Sequence, residues 1–156
     1  MERYSMTMPI FRLVLLGLLT AAVAAPVANA ADSPSIREGP DLSGVRAAIK
    51  VQNYDAALAQ LKTMVVSYPQ PDVFSLMGFA LRKTGDRAQA MTYYRKALDA
   101  DPSHKGALEY QGELYLELGQ IDKAKENLAK LDRLCWFGCE EEKDLKEAIA
   151  HAPKLK

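Results

Sequence analysis

Surplus charge is missing from this sequence: 20 Lys and Arg stand against 20 Asp and Glu, and no basic run is interleaved with aromatic residues. Such a chain has no bulk electrostatic attraction for nucleic acid or for an anionic membrane. Long apolar runs are missing too, because the stretch from Leu13 to Ala25 falls short of the roughly 20 residues needed to span a bilayer. Histidines number two, His104 after an Asp-Pro turn and His151 near the C-terminus, and each reads as a solvated surface residue. Ser67, Ser75 and Ser103 lack the glycine frame of a nucleophile elbow. The glycines form no phosphate-cradling loop. The sequence therefore offers no catalytic constellation, and the chain is expected to be no enzyme and to hold no cofactor or metal.

What the sequence does hold is a period. Laid over the segment from Lys105 onward, Pro71 to Pro102 matches at a spacing of 34 residues, with Phe74 over Leu108, Gly78 over Gly112, Leu81 over Tyr115, Gly85 over Gly119, Ala90 over Ala124 and Tyr94 over Leu128. Small residues fall on small ones and large apolar residues on large apolar ones, as a buried helix interface requires and a solvated surface does not. Gly78 and Gly112 are expected to let the first helix of each unit approach its partner closely where Ala90 and Ala124 face it. Gly85 and Gly119 fall where a left-handed residue ends the first helix. Asp101-Pro102 stops the second helix, because proline lacks the amide and disfavours helical geometry in the residue before it.

A fixed period of this length marks a repeat array. Phe74, Gly78, Leu81, Ala90, Tyr94, Ala97 and Pro102 together resemble the tetratricopeptide repeat family, whose unit is a helix, a tight turn and a second, antiparallel helix. The resemblance implies an all-α fold, an α-solenoid of about three helix hairpins with a C-terminal capping helix. The expected units are residues 41–70, 71–104 and 105–134. The first is the divergent one: Ala57, Leu61, Met64 and Pro69 lie 33 residues before Ala90, Tyr94, Ala97 and Pro102, but Val45 stands where the small residue belongs. Glu140 to Ala152 reads as an amphipathic helix that covers the last apolar face of the stack, its acidic start suited to the helix dipole.

Residues 1–30 read as a cleaved export signal: Arg3 and Arg12 form a basic start, an apolar stretch follows, and Ala28-Asn29-Ala30 supplies a cleavage site after Ala30. A start at Met6 or Met8 would shorten the basic region without changing this reading. Cleavage leaves no stable membrane anchor and puts the mature protein in the periplasm or outside the cell, where a disulfide is chemically permitted. Residues 31–40 read as a flexible arm.

Cys135 and Cys139 enclose Trp136-Phe137-Gly138, and residues 135–156 form a cysteine-containing turn followed by the capping helix. The spacing fits neither haem attachment nor a thioredoxin-like centre, and no His or Met clusters beside the pair. A structural disulfide that fixes the angle of the last helix is the first reading; redox-active or metal-handling thiols form the alternative, from a different functional class. Trp136 and Phe137 are expected to be core, sealing the cap. The tail resembles that of small exported tetratricopeptide proteins.

The resemblance implies a function in binding a protein or peptide through the concave surface of the first helices. The residues that face it are Leu42, Arg46, Ile49 and Lys50 in the first unit, Asp72, Ser75, Phe79, Arg82 and Lys83 in the second, and Glu109, Glu113, Leu116 and Glu117 in the third. Basic side chains gather toward one half of this groove and acidic ones toward the other, with Phe79 as anchor. Phe79 stands where the family's carboxylate clamp has asparagine, so that clamp is not expected. Self-association through the groove or the first unit is a third reading.

Overall fold

The structure is a computed structural model, and it describes residues 39–152. The expected export signal and residues 31–38 of the expected arm lie outside the described residues. Seven helices and no strand occur among the described residues: α1 (Ser43–Lys50), α2 (Tyr54–Ser67), α3 (Pro71–Lys83), α4 (Arg87–Ala100), α5 (Lys105–Glu117), α6 (Ile121–Leu134) and α7 (Glu140–His151).

The helix ends are set by local chemistry repeated at the period of the sequence. Asn53 and Asp86 occupy the same place before α2 and α4, and their side chains accept hydrogen bonds from the amides of Ala56 and Gln89. His104 does this for α5, its Nδ1 accepting from the Ala107 amide at 3.0 Å. Gly85 and Gly119 adopt φ of 95° and 72° just past α3 and α5, the left-handed conformation that ends a helix. Gln52 holds the equivalent place after α1 at φ 58° without being glycine.

Each helix packs on the next, so α1–α2, α3–α4 and α5–α6 are three hairpins. In addition α3 packs on α5 and α5 on α7, whereas no comparably extensive contact joins α2 to α4 or α4 to α6. The helices α3, α5 and α7 thus crowd together on one side while the second helices splay on the other. The result is a curved all-α solenoid whose inner wall comprises α1, α3, α5 and α7.

The core is built from side chains of complementary size. Val45 and Leu61 are fully buried in the first unit, and Tyr94 is fully buried in the second. A Cβ added to Gly78 would lie 2.5 Å from the Tyr94 ring, so the absent methyl group is what admits the aromatic. This corrects the expected partner: Ala90 is buried, but Tyr94 fills the space beside Gly78. Gly112 differs again. A Cβ there would meet Leu145 of α7 at 2.6 Å, so α7 seats its one fully buried leucine in the gap and covers the end of the stack.

The turn before α7 overturns another expectation. Trp136 and Phe137 are 86 % and 96 % exposed, not core. Cys135 is buried, Gly138 reverses the chain at φ 80°, and the sulfurs of Cys135 and Cys139 stand at bonding distance with their Cα atoms 5.5 Å apart. A loop closed over so few residues has no slack to fold its two aromatics back onto the helices, so they project outward.

Candidate functional site

The inner wall holds two hollows separated by an aromatic ridge. The ridge is Phe79, half-buried, with Tyr110 at 4.8 Å and Tyr54 at 6.2 Å between ring centres. Lys83 lies with its Nζ 5.3 Å from the Phe79 ring centre, and Arg82 flanks the same ring. Phe79 is therefore packed among side chains of all three units and is less free to serve as an isolated anchor than its position in the sequence implies.

Toward the C-terminal ends of α3 and α5 lies a hollow lined by Arg82, Glu113, Leu116 and Glu117 together with Ala148 and His151 of the last helix and Ala152 just past it. Its charges are already matched. The buried Arg82 guanidinium donates to Glu113 and, at 2.9 Å, to Glu117, while Arg87 of α4 donates to the other oxygen of Glu117 at 2.8 Å. Burial opposes the charge of Arg82, but Tyr94, Glu113 and Glu117 outweigh it and hold its pKa above the ordinary value. The expectation of basic residues in one half of the groove and acidic ones in the other, both available to a partner, is corrected here. Arg82, Glu113 and Glu117 join unit two to unit three and bind one another.

Toward the N-terminal ends lies a cavity of about 330 Å³. Arg46 lines it from α1; Asp72, Ser75 and Leu76 from α3; His104, Glu109 and Tyr110 from α5 and the residue before it; Glu140, Glu141 and Asp144 from α7. Because His104 Nδ1 accepts the Ala107 amide, a neutral ring carries its proton on Nε2, which lies 3.1 Å from Asp72 Oδ1 and donates to it. Asp72 is thereby tied to the start of α5. Glu109 is buried and its pKa is pushed up to about 8, first by burial and then by the carboxylates of Glu113, Asp144 and Glu141, with Arg82 opposing. Tyr110 is pushed up to about 12, mainly by burial and by Glu109.

Of the residues singled out in the sequence, Arg46, Asp72, Ser75 and Glu109 line this cavity, Arg82, Glu113, Leu116 and Glu117 line the other hollow, and Lys50 and Lys83 are exposed and line neither. Leu42 and Ile49 pack as partly buried residues against the core of the first hairpin. The acidic side chains of α7 were missed because Glu140 to Glu142 read as a helix-dipole cluster on a cap. The available signal was that α7 follows α6 as α5 follows α4, which puts its first turn on the inner wall.

The comparisons with known proteins agree with this architecture. The tetratricopeptide repeat family model matches residues 81–133, from the last turn of α3 into α6. Cellulose synthase 2 operon protein C of Komagataeibacter xylinus is 35 % identical over 91 residues, which cover 56 % of this chain and 7 % of that protein. The chain thus spans a small fraction of its relative's length. No helix among the described residues is long and apolar enough to cross a membrane. Repeats of this kind generally mediate protein–protein interaction. The fold is an all-α solenoid of three helix hairpins closed by a terminal helix.

Proposed function

We propose that this chain is a non-catalytic scaffold that holds an extended segment of another protein along its inner wall, and that it does so outside the cytoplasm after cleavage near Ala30. The observation that carries the binding reading is the cavity shared by α1, α3, α5 and α7. A recess to which four helices each contribute polar side chains is a surface that a single hairpin could not make. The basic and apolar features of residues 1–30 and two cysteines at bonding distance support export, with the cysteine pair serving as a bridge that fixes α7.

The test is a displayed peptide library selected on the full mature chain. Selected peptides should lose binding on Arg46→Glu and Asp144→Lys and keep it on Lys125→Glu, which changes an exposed residue of α6 on the outer side. Peptides indifferent to the two inner-wall changes, with both variants folded by circular dichroism, would refute the reading.

A further inference from the structure

The two hollows of the inner wall differ in what they leave unmatched. In one, Arg82 has taken up Glu113 and Glu117. In the other, Asp72, Glu109, Glu140, Glu141 and Asp144 face Arg46 and His104. Acidic residues alone would say little, since most carboxylates merely hydrate a surface. Two side chains say more. Ser75 and Glu109 occupy the same register position in successive units, they are only 2 % and 8 % exposed, and both line the cavity. Neither has a hydrogen-bond or ion-pair partner among the described residues. Among the described residues the fully enclosed side-chain atoms without a partner are Arg82 Nε and Tyr94 Oη, so the oxygens of Ser75 and Glu109 are not sealed off, and what little exposure these two residues keep is available to a group bound in the cavity.

We propose that this cavity is a subsite for a primary ammonium group, such as a lysine side chain, carried by the segment that the inner wall binds. The proposal rests on the groove reading above and specifies the chemistry of its occupant. An ammonium is a compact group with three donors pointing in different directions. The Glu109 carboxylate of α5, the Ser75 hydroxyl and Asp72 carboxylate of α3 and the Asp144 carboxylate of α7 are acceptors that line the cavity from three helices. A guanidinium is a planar fork that suits one or two facing carboxylates, the arrangement Arg82 already has with Glu113 and Glu117. Among the described residues no three His, Cys, Asp or Glu side chains converge as a metal site requires, so the spread-out negative charge fits an organic cation better than a chelated ion.

Binding is coupled to protons. Glu109 faces Glu113 on its own helix, Arg46 of α1, Arg82 and Asp72 of α3, Glu141 and Asp144 of α7, and Tyr110 and His104 beside it. Its carboxyl titrates near 8, so the ammonium competes with a proton for the same oxygen, and affinity should rise with pH through that value.

The experiment titrates the full mature chain with a terminally capped glycine pentapeptide bearing one central lysine, and with versions bearing Nε-acetyl-lysine or arginine instead. Binding is followed by calorimetry in buffers of different protonation enthalpy. The lysine peptide should bind at least about tenfold more tightly than the acetylated one and release a proton at neutral pH, and Glu109→Gln should weaken it about tenfold and abolish the release. Glu109→Gln removes a disfavoured buried acid and is expected to fold. Equal affinity for the lysine and acetyl-lysine peptides, an arginine peptide bound as tightly as the lysine one, no effect of Glu109→Gln, or no saturable binding at millimolar peptide would each overturn the proposal. If library-selected peptides map to the inner wall but acetylating their lysines changes nothing, the subsite falls while the groove reading stands. If none maps there, the groove reading falls and takes the subsite with it.

Discussion

The first and second hairpins solve one packing problem with opposite residues. Where unit two sets Gly78 against Tyr94, unit one has Val45 and Leu61 at the equivalent positions within one core cluster, and all the large members are fully buried. The two sides of the interface exchange volume, a bare backbone against a broad ring or a branched side chain against a leucine. Where unit two ends its first helix with Gly85, unit one uses Gln52 in the same left-handed conformation. What repeats along the chain is therefore summed volume and backbone direction, and residue type follows from them only loosely. Unit three shows a further solution, in which Leu145 of α7 fills the space beside Gly112.

The sharpest way to break this comparison is to give unit two the first residue of unit one without the second. Gly78→Val drives two methyl groups toward a ring that is fully buried and has nowhere to go, and should cost about 3 kcal/mol in urea unfolding. Adding Tyr94→Leu should restore more than half of that loss. A double variant no more stable than the single one would mean that the pairs are not equivalent.

Next in size is the third solution. Leu145→Ala should cost about 2 kcal/mol through the void left beside Gly112 and should raise amide exchange in α7 before the other helices. Gly112→Ala should be better tolerated in that background than in the native chain.

Glu109 stands where unit two has Ser75, and this difference makes stability depend on pH. The folded carboxyl titrates near 8 against an ordinary value of 4.5, so between these values the folded chain holds a proton that the unfolded chain has released. Stability from this group is therefore full below about 4.5, falls as pH rises toward 8 and is flat beyond it, with an upper bound of about 1.4 kcal/mol per pH unit. Glu109→Ser, which copies unit two, should flatten the fall in thermal unfolding curves recorded across that range. The smallest expected effect is Gln52→Gly, which relieves a side chain in the left-handed region and should stabilise the chain by about 0.5 kcal/mol. A loss of stability would mean that the Gln52 side chain contributes more than its backbone conformation costs.

Units two and three were legible in the sequence because what defines them is local. Glycine after the first helix of each, Asp-Pro after the second helix of unit two, and small residues recurring over small ones at fixed spacing each report on neighbours within one turn or one hairpin. The inner wall was less legible. Spacing put Arg82, Glu113 and Glu117 on the correct face but could not show that they would find one another, since that depends on the rotation of α5 against α3. The same holds for the buried Asn127, which donates to the Leu108 carbonyl and to Gln111 at 3.0 Å each and joins α6 to α5. Trp136 and Phe137 were misplaced because hydrophobicity argues for burial only where the backbone can turn inward, and a bridged five-residue loop around Gly138 cannot.

The seven helices among the described residues are an odd number for a stack of pairs, and the odd one lies on the inside. The concave surface is thus four helices wide and the convex surface three, so the trough extends past the last complete hairpin. Its acidic rim at that end belongs to a helix attached through a single short turn. A change in how that turn is made would alter the shape of the trough's far border while leaving every hairpin intact.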